Sequence, residues 1–340
     1  MWYQSFINFV FFTFSTLLVV AAIIFVIGSF FSLLSKAKQE AARLAKGKLE
    51  INKIATEYKQ TKQQLLETLL DKKEYKKFLK GQKELNKQDK PKQKAFVLNF
   101  KGDIHASQVE NLRNEVSAVL AVANPENEII VRIDSPGGVI NGYGFAAAQL
   151  ERIRQSGINL TVCIDQVAAS GGYMMSAVAH KIIAAPFAIV GSIGVVGTIP
   201  NIRELLKKNG INVEMHTSGE YKRTLTTVGV NTEEGRNKFK QDLESIHELF
   251  KKHILIYRPI LDINKVATGE YWFGKDAIKL GLIDKIQTYD DYLINLLNKH
   301  YDVYEVSYVI KKEKGFLKSK LNMLKRTMAN FLYACKINIG

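Results

Sequence analysis

The centre of the chain carries the run Val167-Ala168-Ala169-Ser170-Gly171-Gly172-Tyr173, in which small residues lead into a serine and two glycines. The small and apolar residues 174–179 that follow predict a helix that begins directly after a strand. Ser170 then lies in the first helical turn, where free backbone N–H groups carry partial positive charge and stabilise a forming anion. The glycines leave room for a carbonyl group to come close. This turn therefore suits a nucleophilic serine.

A nucleophilic hydroxyl needs a base, and the sequence offers no histidine and carboxylate that can be assigned to Ser170 by spacing. The turn also lacks the pattern G-x-S-x-G. Lys222 is another candidate, because it lies in a polar loop after a strand-like segment. Desolvation and the neighbouring Arg223 could lower the pKa of its amine toward neutrality.

A second glycine turn lies upstream, where Asp134-Ser135-Pro136-Gly137-Gly138 follows the apolar run 128–131. Its flexible backbone is suited to donating an N–H to an oxyanion, or to pairing with an extended peptide. Taken alone, each of these segments is also common in ordinary turns and surface loops. Their joint occurrence in one order is the more specific signal.

Four segments follow one another along the chain: Asp134-Ser135-Pro136-Gly137-Gly138, Val167-Ala168-Ala169-Ser170-Gly171-Gly172-Tyr173, Gly191-Ser192-Ile193-Gly194-Val195 and Tyr221-Lys222-Arg223. In this order they resemble the signal-peptide-peptidase-A family of Ser–Lys proteases, and most closely its SohB-type membrane-anchored branch. The resemblance covers roughly residues 1–310.

The resemblance implies a role for each of these segments. It implies Ser170 as the nucleophile, Lys222 as the general base, and Ser192 as a hydroxyl that orients the lysine. It also implies a ring-like homo-oligomer in which serine and lysine could come from one subunit or from two. The implied oxyanion hole consists of backbone N–H groups of Gly137, Gly138 and Gly171.

Strand-like and helix-like stretches alternate from residue 95 onward, which predicts an α/β architecture. The resemblance implies more, namely the Clp-protease/crotonase fold, a spiral of ββα units. We predict strands at 95–100, 128–133, 159–165, 181–185, 211–216 and 303–310, and helices near 106–123, 140–156, 171–180, 201–209 and 231–257.

Residues 1–35 contain no charged side chain, and the apolar run 9–34 exceeds the ~20 residues that cross a bilayer. No Lys or Arg precedes this run, which disfavours a cleaved signal peptide. We therefore predict an uncleaved, single-pass transmembrane anchor; the alternative is a buried helix of a soluble domain.

The net charge of +15 comes from segments outside the predicted body. Residues 36–94 carry 18 basic and 8 acidic side chains, and residues 311–336 carry 8 and 1. A nucleic-acid partner is therefore not expected, whereas a lipid bilayer beside basic segments is. We predict a transmembrane anchor at 1–35, a charged helical spacer and linker at 36–94, the protease body at 95–300, and a C-terminal strand with a basic amphipathic helix at 301–340.

Cysteine and histidine patterns indicate neither a disulfide framework nor a metal site. The two cysteines, Cys163 and Cys335, lie in segments with different predicted roles. His247 and Glu248 begin an H-E-x-x-H motif that Lys251 breaks. We therefore expect no metal and no other cofactor.

The leading hypothesis is a membrane-anchored serine endopeptidase that hydrolyses extended peptides, such as signal-peptide remnants or membrane-protein fragments. A crotonase-type acyl-CoA enzyme and a non-catalytic membrane scaffold are the alternatives from other classes. The family resemblance implies the bacterial inner membrane with the body facing outward. Lys36, Lys38 and Arg43 directly after the anchor predict a cytoplasmic body instead, so the two indications of its side disagree.

Overall fold

The computed structural model describes residues 47–86 and 93–309. The predicted anchor at 1–35 and the predicted basic helix within 301–340 therefore lie outside the described residues. None of the helices between residues 47 and 86 or between 93 and 309 has the length and apolarity needed to cross a membrane.

The described residues form ten strands and ten helices. The strands are β1 (Lys48–Lys53), β2 (Lys94–Lys101), β3 (Glu128–Asp134), β4 (Asn159–Ile164), β5 (Val167–Ala169), β6 (Lys181–Ala184), β7 (Ile189–Gly191), β8 (Tyr271–Phe273), β9 (Lys285–Ile286) and β10 (Asp302–Val309). The helices are α1 (Ile54–Leu69), α2 (Lys72–Asn86), α3 (Val109–Leu120), α4 (Ile140–Gln155), α5 (Gly171–Ala177), α6 (Arg203–Lys208), α7 (Glu233–Tyr257), α8 (Ile263–Val266), α9 (Gly274–Ala277) and α10 (Tyr289–Asn298).

The larger sheet has seven strands in the order β1-β10-β2-β3-β4-β6-β9. From β10 to β9 every neighbouring pair is parallel. Alternate side chains of β2 enter two different apolar clusters: Phe96 and Leu98 face α3 and α4, whereas Ala95 and Val97 face α10. Helices thus cover both faces, which explains why these strands are nearly continuous apolar runs.

The smaller sheet has three strands, with β5 parallel to β7 and β7 antiparallel to β8. A parallel bridge between Ser135 and Ala168 joins β5 to the chain leaving β3. The two segments with the glycine pairs therefore leave neighbouring strands at their carboxyl ends. Loops that follow parallel strands at this edge commonly form binding sites.

The predicted α/β class is confirmed, and most predicted elements lie within a few residues of the observed ones. The strand predicted at 211–216 is wrong: these residues form no strand, and all are exposed. Ile211, Val213 and Met215 alternate with polar residues as a strand would. Neither of the two described sheets includes the segment, so its backbone has no ladder to join. Within the predicted helical spacer, β1 joins the larger sheet, and two helices follow it.

Candidate active site

The serine turn has a strained backbone that presents Ser170 between β5 and α5. Ser170 has φ 50° and ψ −117°, which is unusual for a residue with a side chain. Such a conformation costs about 1–3 kcal/mol and is found at functional sites. It is held by bonds on both sides: the Ser170 amide donates to Gly191 O (2.8 Å), and Ser170 O accepts from the Met174 amide (2.9 Å).

The glycine turn after β3 lies directly against the serine turn. Gly137 has φ +87°, and a Cβ atom built on it would lie 2.7 Å from both Ser170 Cβ and the Gly171 nitrogen. A Cβ atom at Gly138 would overlap the carbonyl oxygen of Ile104. Glycine is therefore required at both positions, and the structure places Gly137 directly against Ser170.

The amides of these turns are not equivalent. The Gly137 N–H donates to Ser135 Oγ (3.1 Å), so it is already engaged inside the turn. Within residues 47–86 and 93–309, the amides of Gly138 and Gly171 have no hydrogen-bond acceptor. Two free N–H groups beside a serine hydroxyl form an arrangement that can stabilise an oxyanion.

Ser192 lies next to Ser170 because of the register of the smaller sheet. Ala169 pairs with Gly191, so the two serines are the next residues on adjacent strands. Ser192 also has a positive φ of 51°, and its amide donates to Glu270 O (2.7 Å). Its hydroxyl lies 3.5 Å from Gly269 O, a weak contact that leaves it able to turn toward another partner.

Lys222 is not joined to the serines within this single chain. It is exposed, in a loop where its amide donates to Gly219 O (3.2 Å). The hydrogen bonds and ion pairs of the described residues include none between Lys222 and Ser170 or Ser192. The proposed dyad therefore stays a prediction.

Ionisable groups stabilise two features next to the site, the turn after β2 and helix α5. Hydrogen bonds from the Ser107 hydroxyl and amide lower the pKa of Asp103, whose carboxylate organises the turn after β2. His253 of α7 lies 3.0 Å from Met174 O on α5, and burial lowers the pKa of its imidazole. In the described part of the chain, no group of three or more His, Cys, Asp or Glu side chains is arranged to hold a metal ion.

Sequence reasoning missed the residues beneath the glycine turn. In the sequence Ser135 is only one residue of a turn motif, yet it is fully buried and bonds to both Gly137 and Tyr143. Tyr143 lies on α4 and is also fully buried. Nothing in the spacing of Tyr143 singles it out, because its contacts depend on how α4 packs on the sheet.

Two family profiles match the chain. The profile of the N-terminal region of peptidase family S49 matches residues 4–150, and the profile of peptidase family S49 matches residues 152–303. Together they span all four motif segments.

Similar proteins of known sequence are named as proteases. The chain is 53% identical over 225 residues to "Probable protease SohB" of Haemophilus influenzae, covering 66% of this chain and 64% of that protein. It is 48% identical over 277 residues to "Probable protease SohB" of Buchnera aphidicola subsp. Schizaphis graminum, covering 78% and 81%. A solved mutant of the 1510-N membrane-bound stomatin-specific protease with a substrate peptide aligns at a TM-score of 0.43 and 16% identity, covering 68% of this chain and 99% of that chain.

About half of all aligned positions are identical to the SohB proteins, and the alignment with the Buchnera protein spans four fifths of its length. Similarity of this extent, with both profiles in their expected order, shows that the chain belongs to peptidase family S49, alongside the proteins named SohB.

Proposed function

We propose that the chain is a membrane-anchored serine endopeptidase in which Ser170 is the nucleophile and Lys222 the general base. The observation that carries the proposal is the strained Ser170 beside two amides, of Gly138 and Gly171, that have no acceptor among the described residues. A surface turn with no chemical role would have no need for this strain or for two free donors beside a serine.

The chemistry then follows two steps. The neutral amine of Lys222 takes the proton of Ser170 Oγ, which attacks the peptide carbonyl carbon, and the Gly138 and Gly171 amides stabilise the oxyanion. The intermediate collapses, the Lys222 ammonium protonates the leaving amine, and an ester to Ser170 remains. Water, deprotonated by Lys222, then hydrolyses the ester and restores the free serine.

A neutral lysine requires burial that this exposed loop lacks in one chain. Several apolar side chains of the same segment are also exposed, among them Ile211, Met215 and Tyr221. We propose that a second copy of the chain covers this segment in a homo-oligomer. A covering subunit would remove water from around Lys222, which favours the neutral amine, and would bring it to a serine. Ser192, next to Ser170, would then accept or donate a hydrogen bond that orients the amine.

The substrates we propose are extended, apolar peptides, such as signal-peptide remnants or fragments of membrane proteins. Such a peptide would pair with the backbone edge at Gly137 and Gly138. Exposed apolar side chains border this edge: Ile104, Val139 and Ile140 are 65%, 40% and 39% exposed. The Val139 amide donates to Ile104 O (2.8 Å), which keeps two of these side chains at the same border.

For the fold, we propose the Clp-protease/crotonase-like spiral. Strand pairs that enter first the larger and then the smaller sheet support it: β4 is followed by β5 and helix α5, and β6 by β7.

For the location, we propose the bacterial inner membrane, with residues 1–35 as the anchor. Digestion of the body by added protease in spheroplasts would identify an outward-facing body, and protection would identify a cytoplasmic one.

Labelling of the full-length protein in detergent with a fluorophosphonate probe tests the function. We expect Ser170 to be labelled, Ser170→Ala to abolish labelling and peptide hydrolysis, and Ser245→Ala to leave both unchanged. Ser245 is an exposed serine of α7 whose hydroxyl donates to Gln241 O within its own helix, so it controls for the loss of a hydroxyl. An unlabelled wild-type protein would favour the scaffold, and labelling that persists in Ser170→Ala would place the nucleophile elsewhere.

A further inference from the structure

The buried side chain of Tyr143 touches both glycine turns of the candidate site. Its hydroxyl lies 2.5 Å from Ser135 Oγ and 2.7 Å from Asp103 O. Tyr143 and Ser135 are both fully buried, so neither hydroxyl can exchange these partners for bulk water. The side chain therefore connects the turn after β2 with the turn after β3.

The direction of these hydrogen bonds follows from their end points. The Asp103 carbonyl can only accept, so Tyr143 donates its proton there. Ser135 must then donate to the Tyr143 oxygen, and its own oxygen accepts from the Gly137 N–H. Burial raises the pKa of Tyr143, which keeps the phenol protonated as the donor of this chain of bonds. Successive bonds of this kind polarise and strengthen one another.

The ring of Tyr143 supports the serine turn as well. A methyl group at Gly171 would overlap the ring, so the ring lies directly against the Gly171 backbone. Phe100 also packs edge-on against Tyr143, at 6.2 Å between ring centroids. The ring position is thus fixed by the core, and the Gly171 amide is fixed by the ring.

We infer that Tyr143 is a positioning residue that sets the Gly138 and Gly171 amides relative to each other, through Ser135 on one side and through its ring on the other. Engagement of the Gly137 amide by Ser135 holds the glycine turn in the orientation that leaves the next amide, of Gly138, free. The inference rests on the proposed function, because it assumes that these amides bind an oxyanion during hydrolysis.

Tyr143→Phe tests the inference, since it removes the hydroxyl and keeps the ring against Gly171. We expect kcat for a peptide substrate to fall about 10- to 100-fold, because small displacements of catalytic donors have effects of this size. KM should stay within about twofold, since ground-state binding is not affected. The affinity for a peptide aldehyde, whose adduct oxygen occupies the same hole, should fall by the factor seen in kcat.

Two further variants separate positioning from stability. Tyr292→Phe is the matched control, because it removes a half-buried hydroxyl that bonds Glu128 at the start of β3 (2.5 Å), away from the glycine turn that follows the end of this strand. It should leave kcat and aldehyde affinity unchanged. Ser135→Ala breaks the next bond of the chain and should reproduce the kcat effect. The kcat of the double variant Ser135→Ala/Tyr143→Phe should be no lower than that of the less active single variant, because both changes break the same chain of bonds.

The outcomes are distinguishable. If the wild-type protein reacts with fluorophosphonate and Tyr143→Phe matches Tyr292→Phe in kcat and aldehyde affinity, the inference is overturned and the proposed function stands. Peptide affinity is compared between the inactive variants Ser170→Ala and Ser170→Ala/Tyr143→Phe. If Tyr143→Phe lowers both kcat and this affinity, Tyr143 is only a core residue and the inference is also overturned. If the wild-type protein does not react, the proposed function fails and the inference with it. Should Tyr143→Phe not fold, Ser135→Ala decides by the same measurements.

Discussion

Gly137 lies so close to Gly171 that a methyl group on Gly137 would come within 2.7 Å of the Gly171 amide nitrogen. The φ of Gly137 is +87°, which a side chain also disfavours. We expect Gly137→Ala to displace the two turns, to lower hydrolysis about 100-fold or more, and to reduce the free energy of unfolding by about 1–3 kcal/mol. Peptide hydrolysis and denaturant unfolding measure the two effects.

Gly144→Ala provides the control for that prediction. Gly144 lies within α4, and a Cβ atom there would meet nothing within 4 Å. Because glycine is unfavourable within a helix, alanine should raise stability by up to about 1 kcal/mol and leave hydrolysis unchanged. Equal activity of the two variants would contradict the close packing of the glycine turn against Ser170.

Lys222 and Ser170 are expected to act across two copies of the chain, because Lys222 is exposed in the single chain. Ser170→Ala should be inactive, and Lys222→Ala should lose about 10²–10⁴-fold, the usual contribution of a general base. When the two variants are co-expressed, mixed oligomers combine an intact serine with an intact lysine, so part of the activity should return. If co-expression restores nothing, while wild-type chains remain active, serine and lysine belong to the same chain.

Glu115 makes stability depend on pH. It is 5% exposed, its Oε1 accepts from the Tyr308 amide (2.7 Å), and Oε2 has no partner among the described residues. Burial raises the pKa of Glu115 from 4.5 to about 7. The folded state therefore binds this proton more tightly than the unfolded state. This tighter proton binding contributes about 3 kcal/mol to the free energy of unfolding. The contribution is fully present below pH 4.5 and is lost as the pH rises toward and through 7.

Glu115→Gln should remove this dependence and be more stable than the wild-type protein at pH 8, because no buried charge can form. Denaturant unfolding at pH 5, 6, 7 and 8 measures the difference between the two proteins. Glu110→Gln serves as the control on the same helix, since Glu110 is exposed and pairs with Arg113 at the surface. A constant difference between Glu115→Gln and wild type across this range would show that Glu115 does not titrate there.

Arg258 joins the end of α7 to the turn before β9. Its side chain is 12% exposed, and it bonds Asp284 (2.9 Å) and Gly281 O (2.6 Å). Asp284 also accepts from the Ile182 amide of β6 (2.7 Å). Arg258→Ala leaves the carboxylate without its cation and should lower the free energy of unfolding by about 2–4 kcal/mol. Thermal unfolding should show a far smaller shift for Arg236→Ala, whose pair with Glu233 is exposed.

The sequence could predict those parts of the fold that depend on local patterns. The start of α7 is one example: the sequence predicts a helix near 231–257, and at its observed start the Thr232 hydroxyl accepts from the Gly235 amide (3.0 Å). The order of the four motif segments likewise indicates the two glycine turns at 134–138 and 167–173. Residues 211–216 were mispredicted because alternation describes a possible strand and says nothing about a partner. The hydrogen bonds between Ser135 and Tyr143 arise from helix packing, which no local spacing reports.

The position of β10 has a consequence for biosynthesis. This strand is the last one described, and it lies between β1 and β2, the first two described strands. It pairs in parallel with β2 from Asp302 onward. A nascent chain that ends before Asp302 would already contain the serine turn, yet the edge of β2 would have no neighbour. Closure of the sheet therefore waits until β10 has been made, and a protein that lacks the eight residues of β10 should be captured by chaperones or degraded rather than mature.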